Sequence, residues 1–259
     1  MTVTTADLGA ARVISWDRQA RRNAWDLPTM TAIADAIETA GADPGVRLVA
    51  VRGAGAHFSA GDDLYAAIEA DSSSWAATIE GFQRLTRVVL VAPVPVVAVV
   101  DGVCVGGALE FAASCDLRIC TERVRLITPE VGIGLVASNA GTILLPEVLG
   151  ETAARELLLS GEPRDAAWAR EHGFATELAA PAELDARIEH WAMVFSRNSR
   201  DAVAATKAML NERFGDLLHA AMERETYHCV RLFDEPDARA ALSAFAERKG
   251  RIGEDSTSG

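Results

Sequence analysis

A continuous apolar segment in the middle of the chain constrains the fold most strongly. Pro95–Val100 (PVVAVV) contains no polar residue, which is typical of a strand covered on both faces of a sheet. Asp101–Glu110 (DGVCVGGALE) follows with two adjacent glycines, and a helical pattern begins directly after them. A buried strand that leads through a glycine turn into a helix favours an α/β fold.

Strands and helices alternate on both sides of this segment. The β-branched stretches Arg12–Trp16 and Val46–Arg52 predict strands, and apolar residues at helical spacing predict a helix over Pro28–Thr39 that Gly41 and Pro44 end. On the same grounds we predict strands over Asp116–Cys120 and Val124–Thr128, and helices over Trp75–Leu90, Ala108–Ala113, Glu151–Leu159, Asp165–His172, Glu183–Phe195, Arg200–Arg213 and Asp216–Leu232. This order predicts an α/β core followed by a helical C-terminal part.

The charge balance excludes broad binding to nucleic acid or to anionic membranes. Among 259 residues, 37 Asp and Glu stand against 25 Lys and Arg, so the formal net charge is −12, whereas such binding requires a basic surface. The longest apolar stretch, Val88–Val100, is much shorter than the roughly 20 residues of a membrane-spanning helix. The first residues show no secretory signal. We therefore expect no nucleic-acid partner and no membrane contact.

The chain has none of the common metal or cofactor motifs. It lacks GxxxxGK[ST], HExxH and GxSxG, and its five histidines show no metal-binding spacing. Gly132–Ala137 (GIGLVA) matches a dinucleotide pattern, but the acidic residue expected about 20 positions later would be Glu156, which lies inside a helical segment. We therefore expect no metal and no redox cofactor. The cysteines form no CxxC pair and are expected to be buried, reduced thiols of a cytoplasmic protein: Cys104, Cys115, Cys120 and Cys229.

Two glycine-containing stretches are candidates for ligand binding. Phe58–Leu64 (FSAGDDL) follows a predicted strand, where a glycine lets the backbone approach a ligand, although ordinary loops combine Gly and Asp in the same way. Gly106 and Gly107 precede a predicted helix, and the free N–H groups of a helix start favour an anion or a developing oxyanion.

Two glutamates are candidates for acid–base chemistry. Glu110 lies in the first turn of that helix, where a carboxylate also complements the helix dipole. Glu130 lies in the turn Thr128–Gly134 (TPEVGIG), a position that equally fits a surface loop residue. If both face one cavity, burial and mutual repulsion raise one pKa above the other. Carboxyl groups in different protonation states can act as a general acid and a general base.

Four stretches in this order resemble the motifs of the enoyl-CoA hydratase/isomerase (crotonase) family. RRNAW is similar to RNAL, FSAGDDL to FxAGADL, DGVCVGGALEFAASCDLRIC to NGxxxGGGxELAxxCDxxxA, and TPEVGIGL to xPExxxGL. The resemblance runs from about Ile14 to Gly150. It implies a spiral of ββα units over residues 1–195, followed by a helical region over residues 196–259 that covers the active site and assembles homotrimers, often paired into hexamers.

The resemblance also implies roles for individual residues. The N–H groups of Asp62 and Gly107 would hold the thioester oxygen of an acyl-CoA, Glu110 would deprotonate a water molecule, and Glu130 would protonate the substrate. The implied acyl-CoA-binding residues are Arg22, Ala24, Ala60, Gly61, Asp62, Asp63, Leu64, Tyr65 and Gly106. Coenzyme A enters as part of the substrate, so no separate cofactor is expected. The expected activity is hydration of a trans-2-enoyl-CoA.

The sequence departs from the family pattern at two places. Val136–Leu145 (VASNAGTILL) stands where the family usually has IPGAGGTQRL, in a segment that shapes the acyl pocket. Tyr65 stands where a lysine often meets a CoA phosphate, which leaves Arg21, Arg22 or Lys249 as alternatives. A Δ3,Δ2-enoyl-CoA isomerase or specialised acyl-CoA dehydratase, and a non-catalytic acyl-CoA binder, therefore remain alternative functions.

Overall fold

The computed structural model describes residues 2–244, with eight strands, the ten α-helices named below and a further helical stretch over residues 236–244. The strands are β1 (Thr2–Leu8), β2 (Ala11–Asp17), β3 (Leu48–Gly53), β4 (Val96–Val100), β5 (Val103–Val105), β6 (Leu117–Cys120), β7 (Arg125–Ile127) and β8 (Glu177–Leu178). The helices are α1 (Leu27–Ala42), α2 (Leu64–Glu69), α3 (Ser72–Val91), α4 (Gly107–Ser114), α5 (Gly141–Leu149), α6 (Glu151–Ser160), α7 (Ala166–Glu171), α8 (Leu184–Ser196), α9 (Arg200–Glu212) and α10 (Gly215–Phe233).

Six of the strands form one sheet in the order β1-β2-β3-β4-β6-β8. All neighbouring pairs are parallel except β1 and β2, which form an antiparallel pair at the edge. The register places Val51 beside Ala98 and Val100 beside Cys120. A second, two-stranded parallel sheet joins β5 to β7. The prediction of an α/β core is confirmed.

Helices cover both faces of the large sheet. Every residue of β4 is buried, as its apolar sequence predicts. On one face, α1, α3 and α4 enclose the larger core, which includes the aromatic cluster of Trp16, Trp25 and Phe58. On the other face, α8 packs Ile188 and its neighbours against residues of β3 and β4. This double coverage explains why β4 carries no polar residue.

Helix α1 runs to Ala42, one residue beyond Gly41 and two before Pro44, the two residues that the sequence predicts to end it. A Cβ at Gly41 would stand 3.1 Å from the Cδ of Pro93, so the glycine permits close packing and does not terminate the helix. The helix ends instead at Asp43, whose backbone is extended. Three strands and two helices have no counterpart among the predicted elements: β1, β5, β8, α2 and α5. The strands and α2 are short or largely exposed, and α5 contains an internal proline, Pro146.

Two further sequence expectations concern membranes and cysteines. Within residues 2–244 no helix combines the length and the apolar character that crossing a membrane requires. All four cysteines are buried and unpaired, in agreement with the prediction.

Candidate active site

Two glycine-containing loops lie side by side at the carboxyl ends of the central strands. The loop after β3 runs beside β5: Ser59 N–H donates to the carbonyl of Val103 (3.1 Å), and Val105 N–H donates to the carbonyl of Ser59 (3.1 Å). Farther along the same loop, Asp62 pairs with Trp25 in an isolated parallel bridge. Backbone pairing therefore brings together the two stretches that the sequence marks as separate candidates.

Glycine is required at two positions where these loops meet. Gly61 has φ +80°, and a Cβ there would stand 2.5 Å from the carbonyl oxygen of Val105. Gly106 has φ +56°, and a Cβ there would stand 2.6 Å from Oε1 of Glu130. A side chain at either position would strain the backbone and collide with its neighbour. The close approach of the two loops, and of Glu130 to one of them, depends on these glycines.

Two backbone N–H groups at this junction have no acceptor among residues 2–244. The Trp25 N–H donates to the carbonyl of Gly61, and the Asp63 N–H donates to the carbonyl of Trp25. This bridge leaves the N–H of Asp62 without an acceptor. Gly107 is the first residue of α4, where N–H groups have no partner within the helix. Asp62 and Gly107 both line one cavity of about 100 Å³. These donors can hold an oxygen atom that carries negative charge.

The walls of this cavity are mainly apolar. Leu64, Trp75, Phe82 and Leu135 contribute side chains, and Glu130 is its one glutamate. Such walls lower the local polarity, so hydrogen bonds and charges inside act more strongly than they do in water. A second cavity of about 320 Å³ also has Glu130 in its wall, together with apolar residues including Val131, Val136, Ala137, Pro146 and Leu158.

Glu130 begins a 3-10 turn over Glu130–Ile133. Its Oε2 is buried and finds no hydrogen-bond partner in the described part of the chain. Burial raises the pKa of Glu130 to about 7 because an apolar environment disfavours the charged form. Near neutral pH this carboxyl group therefore exists in both protonation states. That is the property of a group that exchanges protons with a ligand, and it distinguishes Glu130 from an ordinary surface carboxylate.

Glu110 is almost completely buried in the first turn of α4. Its Oε2 accepts hydrogen bonds from the N–H groups of Asn139 (2.8 Å) and Gly141 (2.9 Å), which lie just before and at the start of α5. Burial raises the pKa of Glu110 well above its usual range, and the negative charges of Glu225 and Glu130 add to that effect. The expected repulsion between Glu110 and Glu130 is present, but Glu225 contributes more.

Glu225 is the residue of this cluster that the sequence analysis did not identify. It lies on α10, where its carboxylate accepts hydrogen bonds from Ala140 N–H (2.6 Å), Thr142 N–H (2.9 Å) and the Thr142 hydroxyl (2.5 Å). Burial raises its pKa, whereas these bonds oppose the rise. A signal was available: Glu225 lies at helical spacing from Ala221 and Cys229, on the apolar face of the helix, where a carboxylate needs partners.

Comparison with known proteins assigns this arrangement to a family. A family model described as enoyl-CoA hydratase/isomerase matches residues 9–252. The chain belongs to the enoyl-CoA hydratase/isomerase family. It is 30% identical to the crotonyl-CoA hydratase of Syntrophomonas wolfei over 240 residues, which cover 92% of each chain.

Solved structures of this family share the fold. An enoyl-CoA hydratase/isomerase from Xanthobacter autotrophicus is 31% identical and superposes with a TM-score of 0.86, covering 96% of this chain and 93% of that one. An enoyl-CoA hydratase from Mycobacterium avium subsp. paratuberculosis is 27% identical with a TM-score of 0.84, covering 95% and 96%. The α/β architecture described above is therefore the crotonase fold.

The structure brings most of the residues expected from the family resemblance to one cavity. Ala60, Gly61, Asp62, Leu64, Gly106, Gly107 and Glu130 line the 100 Å³ cavity. Glu110 is not part of this wall and interacts through its carboxylate with the segment before α5. The residue Asp62 is partly exposed to solvent, but its carboxyl group is buried. This burial raises the pKa of Asp62 to about 7, and the negative charge of Asp63 adds to the rise.

The other expected binding residues lie around the loop and outside the cavity wall. Asp63 caps α2 by accepting from Tyr65 N–H and pairs with Arg18 at 2.6 Å. Ala24 is buried, and its carbonyl accepts from Arg18. Arg22 is exposed.

Of the three basic candidates for the CoA phosphates, two lie within the described residues. Arg21 places its guanidinium 4.0 Å from the centre of the Tyr65 ring. Together with the exposed Arg22, it therefore lies beside the loop that would bind the nucleotide end of CoA. Lys249 lies outside residues 2–244. The same described residues contain no cluster of three or more His, Cys, Asp or Glu that could hold a metal ion.

Proposed function

We propose that this protein is an enoyl-CoA hydratase that adds water reversibly, in the syn sense, to a trans-2-enoyl-CoA. The observation that carries the proposal is the combination of two partnerless N–H groups with a buried carboxyl group in one small cavity, and a second buried carboxyl group nearby. Hydration requires both kinds of group. The N–H groups are needed because the thioester oxygen gains negative charge, and the two carboxyl groups because one proton leaves water while another is added to carbon.

The N–H groups of Asp62 and Gly107 would form the oxyanion hole. When the water oxygen bonds to C3, electrons move through the C2–C3 double bond onto the thioester oxygen and form an enolate. Two fixed donors in an apolar cavity stabilise that charge by roughly 3–4 kcal/mol each. Gly61 and Gly106 permit the close approach of the loops that carry these donors.

The two glutamates would move the protons. Glu110 takes the proton of the attacking water, and Glu130 gives a proton to C2 as the enolate collapses, so the product is the 3-hydroxyacyl-CoA. A pKa of about 7 leaves Glu130 able to donate at neutral pH. Burial and neighbouring charges favour protonated Glu110 in the empty site. Because a base must first be ionised, hydration should become faster as rising pH ionises Glu110.

The surroundings of the cavity support an acyl-CoA thioester as substrate. Ala60–Tyr65 would line the path of the adenine and pantetheine, and Arg21 or Arg22 would meet the phosphates. The 320 Å³ cavity on the other side of Glu130 would take the acyl group, and the unusual Val136–Leu145 segment supplies part of its wall. We further propose a cytoplasmic homotrimer or a hexamer of two trimers, as the family resemblance implies.

A second candidate is Δ3,Δ2-enoyl-CoA isomerase. It is favoured by the position of Glu130, which lines the cavity without a hydrogen-bond partner, whereas Glu110 lies outside the wall. A single carboxyl group that removes a proton from C2 and returns it at C4 is sufficient for isomerisation. Two buried carboxyl groups in an apolar site argue against a non-catalytic binder, because their burial costs stability and binding alone does not use them.

Hydration of crotonyl-CoA and of longer 2-enoyl-CoAs tests the proposal through loss of the conjugated thioester absorbance. We expect turnover by the unmodified protein and a loss of at least about 100-fold in kcat for Glu110→Gln and for Glu130→Gln. Hydration that survives either substitution contradicts the assignment of the two roles. Absence of hydration combined with turnover of 3-enoyl-CoAs, abolished only by Glu130→Gln, would instead establish the isomerase.

A further inference from the structure

We infer that Glu225 is a positioning residue for Glu110: it holds the segment to which the Glu110 carboxylate is bound, and its charge sets the pH range in which Glu110 can accept a proton. The inference rests on the proposed hydratase function for its kinetic consequence. Its structural basis does not depend on the reaction. Glu225 acts through Glu110 and is not proposed to touch the substrate.

Four consecutive N–H groups alternate between two carboxylates. Asn139 and Gly141 donate to Glu110, whereas Ala140 and Thr142 donate to Glu225. The carboxylates arrive from different helices, α4 and α10, and between them they use every N–H from 139 to 142. The start of α5 is therefore fixed from both sides. A change at Glu225 releases two of these groups and alters the position of the other two, which orient Glu110.

The conformation of this segment requires such support. Ala140 has φ +61°, a left-handed conformation that is unfavourable for a residue with a Cβ. A further link holds the same segment to α10, because the side-chain N–H of Gln83 donates to the Ser138 carbonyl (2.9 Å) and to the Thr226 hydroxyl (2.9 Å). The backbone that binds Glu110 thus keeps a strained shape through contacts with α10, and Glu225 supplies three of the hydrogen bonds.

The charge of Glu225 also acts on Glu110. Among the charged and titratable groups on the elements packed around Glu225 and Glu110 are Arg87 on α3, Glu130 in its 3-10 turn, Glu147 on α5, and Arg224 and Cys229 on α10. Arg87 and Glu147 are paired with Glu80 and Arg213. Burial raises the pKa of Glu225, while its three donors and the nearby Arg224 oppose that rise by favouring the ionised form.

An ionised Glu225 disfavours a second negative charge on Glu110. Its effect on the pKa of Glu110 is larger than that of Glu130. Removing the charge should therefore let Glu110 ionise at lower pH. Because the pair is coupled, the apparent pKa values of the site should change together.

The test compares Glu225→Gln with a matched control, Glu223→Gln, on the same helix. Glu223 is exposed, and its nearest charged partner is His219. We expect the acid limb of the kcat/KM profile for crotonyl-CoA hydration to move to lower pH in Glu225→Gln only, even if kcat falls because the segment loosens. A shift of one pH unit corresponds to about a tenfold difference in rate on the acid side. An unchanged or upward-shifted limb would overturn the inference.

A milder variant covers the case in which Glu225→Gln does not fold. Thr142→Val removes one of the three donors to Glu225 and keeps the shape of the side chain. The charge on Glu225 then becomes less favourable, and the acid limb should move in the same direction by a smaller amount. A limb that stays where it is in this folded variant would also contradict the inference.

A readout without turnover separates this inference from the proposed function. Infrared titration follows the carbonyl absorption of protonated carboxyl groups, and Glu110→Gln identifies the contribution of Glu110. We expect that contribution to disappear at lower pH in Glu225→Gln than in the unmodified protein. If the protein hydrates no enoyl-CoA but the infrared midpoint moves as expected, the hydratase proposal fails and the coupling stands. An unmoved midpoint refutes the coupling even in an active hydratase.

Discussion

Gly141→Ala should impair catalysis while leaving the fold intact. Gly141 is the first residue of α5 and has a backbone conformation that alanine can adopt. A Cβ at this position would stand 2.5 Å from Oε2 of Glu110 and 2.8 Å from its carboxyl carbon. The added methyl group therefore meets the proposed catalytic base directly. Alanine in a helix is favoured over glycine by about 1 kcal/mol, which offsets part of the steric cost to stability.

The size of the effect follows from the contact distance. Ordinary van der Waals contact to a Cβ begins at 3.4 Å, so the Glu110 carboxylate must withdraw by about 0.9 Å, the difference between 3.4 and 2.5 Å. Displacement of a catalytic group by about 1 Å costs on the order of 100-fold in rate, or about 2.7 kcal/mol in activation free energy. We expect this loss in kcat, with a much smaller change in KM, because the altered group acts on water and not on the CoA.

Gly132→Ala is the matched control. Gly132 lies two residues after Glu130, and a Cβ there meets nothing within 4 Å. Steady-state hydration of crotonyl-CoA and thermal unfolding would be measured for both variants. We expect Gly132→Ala to retain kcat and both proteins to keep similar melting temperatures. Full activity in Gly141→Ala would show that Glu110 tolerates displacement, and would refute its role as a precisely placed base.

Three further predictions concern buried charge. The folded-state pKa of Glu130, about 7, exceeds the ordinary value of 4.5, so the folded protein loses stability as rising pH ionises this group. Glu130→Gln removes the ionisable group and should therefore raise the free energy of unfolding by up to about 3 kcal/mol at pH 8 but not below pH 4.5. Urea unfolding at pH 4.5 and pH 8 tests this. Asp62 has a pKa of about 7, so at pH 8 it is ionised beside the proposed oxyanion and opposes the charge there. Asp62→Asn removes this charge. The ratio of its kcat/KM to that of the unmodified protein should therefore be about tenfold higher at pH 8 than at pH 6. Arg118→Met should lower the free energy of unfolding by at least about 2 kcal/mol, because the carbonyls of Phe174 and Cys115, each 2.6 Å from the guanidinium, lose their donor; urea unfolding measures it, and a neutral result would contradict the account.

Local sequence patterns predict much of this fold and site. The apolar run before Asp101 predicts a doubly covered strand, which is observed. The glycines at 61 and 106–107 predict places where a ligand can meet the backbone, and in the structure Gly61 and Gly106 allow close contacts with Val105 and Glu130. These features are encoded over a few residues, because strand burial and glycine conformations depend on the immediate neighbours. Local context leaves both glutamates open to structural roles, and their assignment to acid–base chemistry comes from the family resemblance.

Long-range contacts explain what the sequence does not reveal. Glu225 is separated by 85 residues from Ala140, to which it is bonded, and only the packing of α10 against α5 brings them together. For the same reason, Glu110 and Glu130 were expected to perturb mainly each other, whereas the larger charge effect on Glu110 comes from Glu225. Gly41 resembles a helix terminator until its close contact with Pro93 is known.

Trp75 gives the cavity a built-in fluorophore. Its indole forms part of the cavity wall and stacks on Phe233, with ring centres 4.7 Å apart and planes inclined by 8°. Indole emission depends on the polarity and contacts of the ring, so a thioester entering the cavity would change the light emitted by this side chain. Occupation of the site can therefore be followed by fluorescence in variants that turn nothing over, and a Trp75→Phe protein would show which part of the signal belongs to this wall.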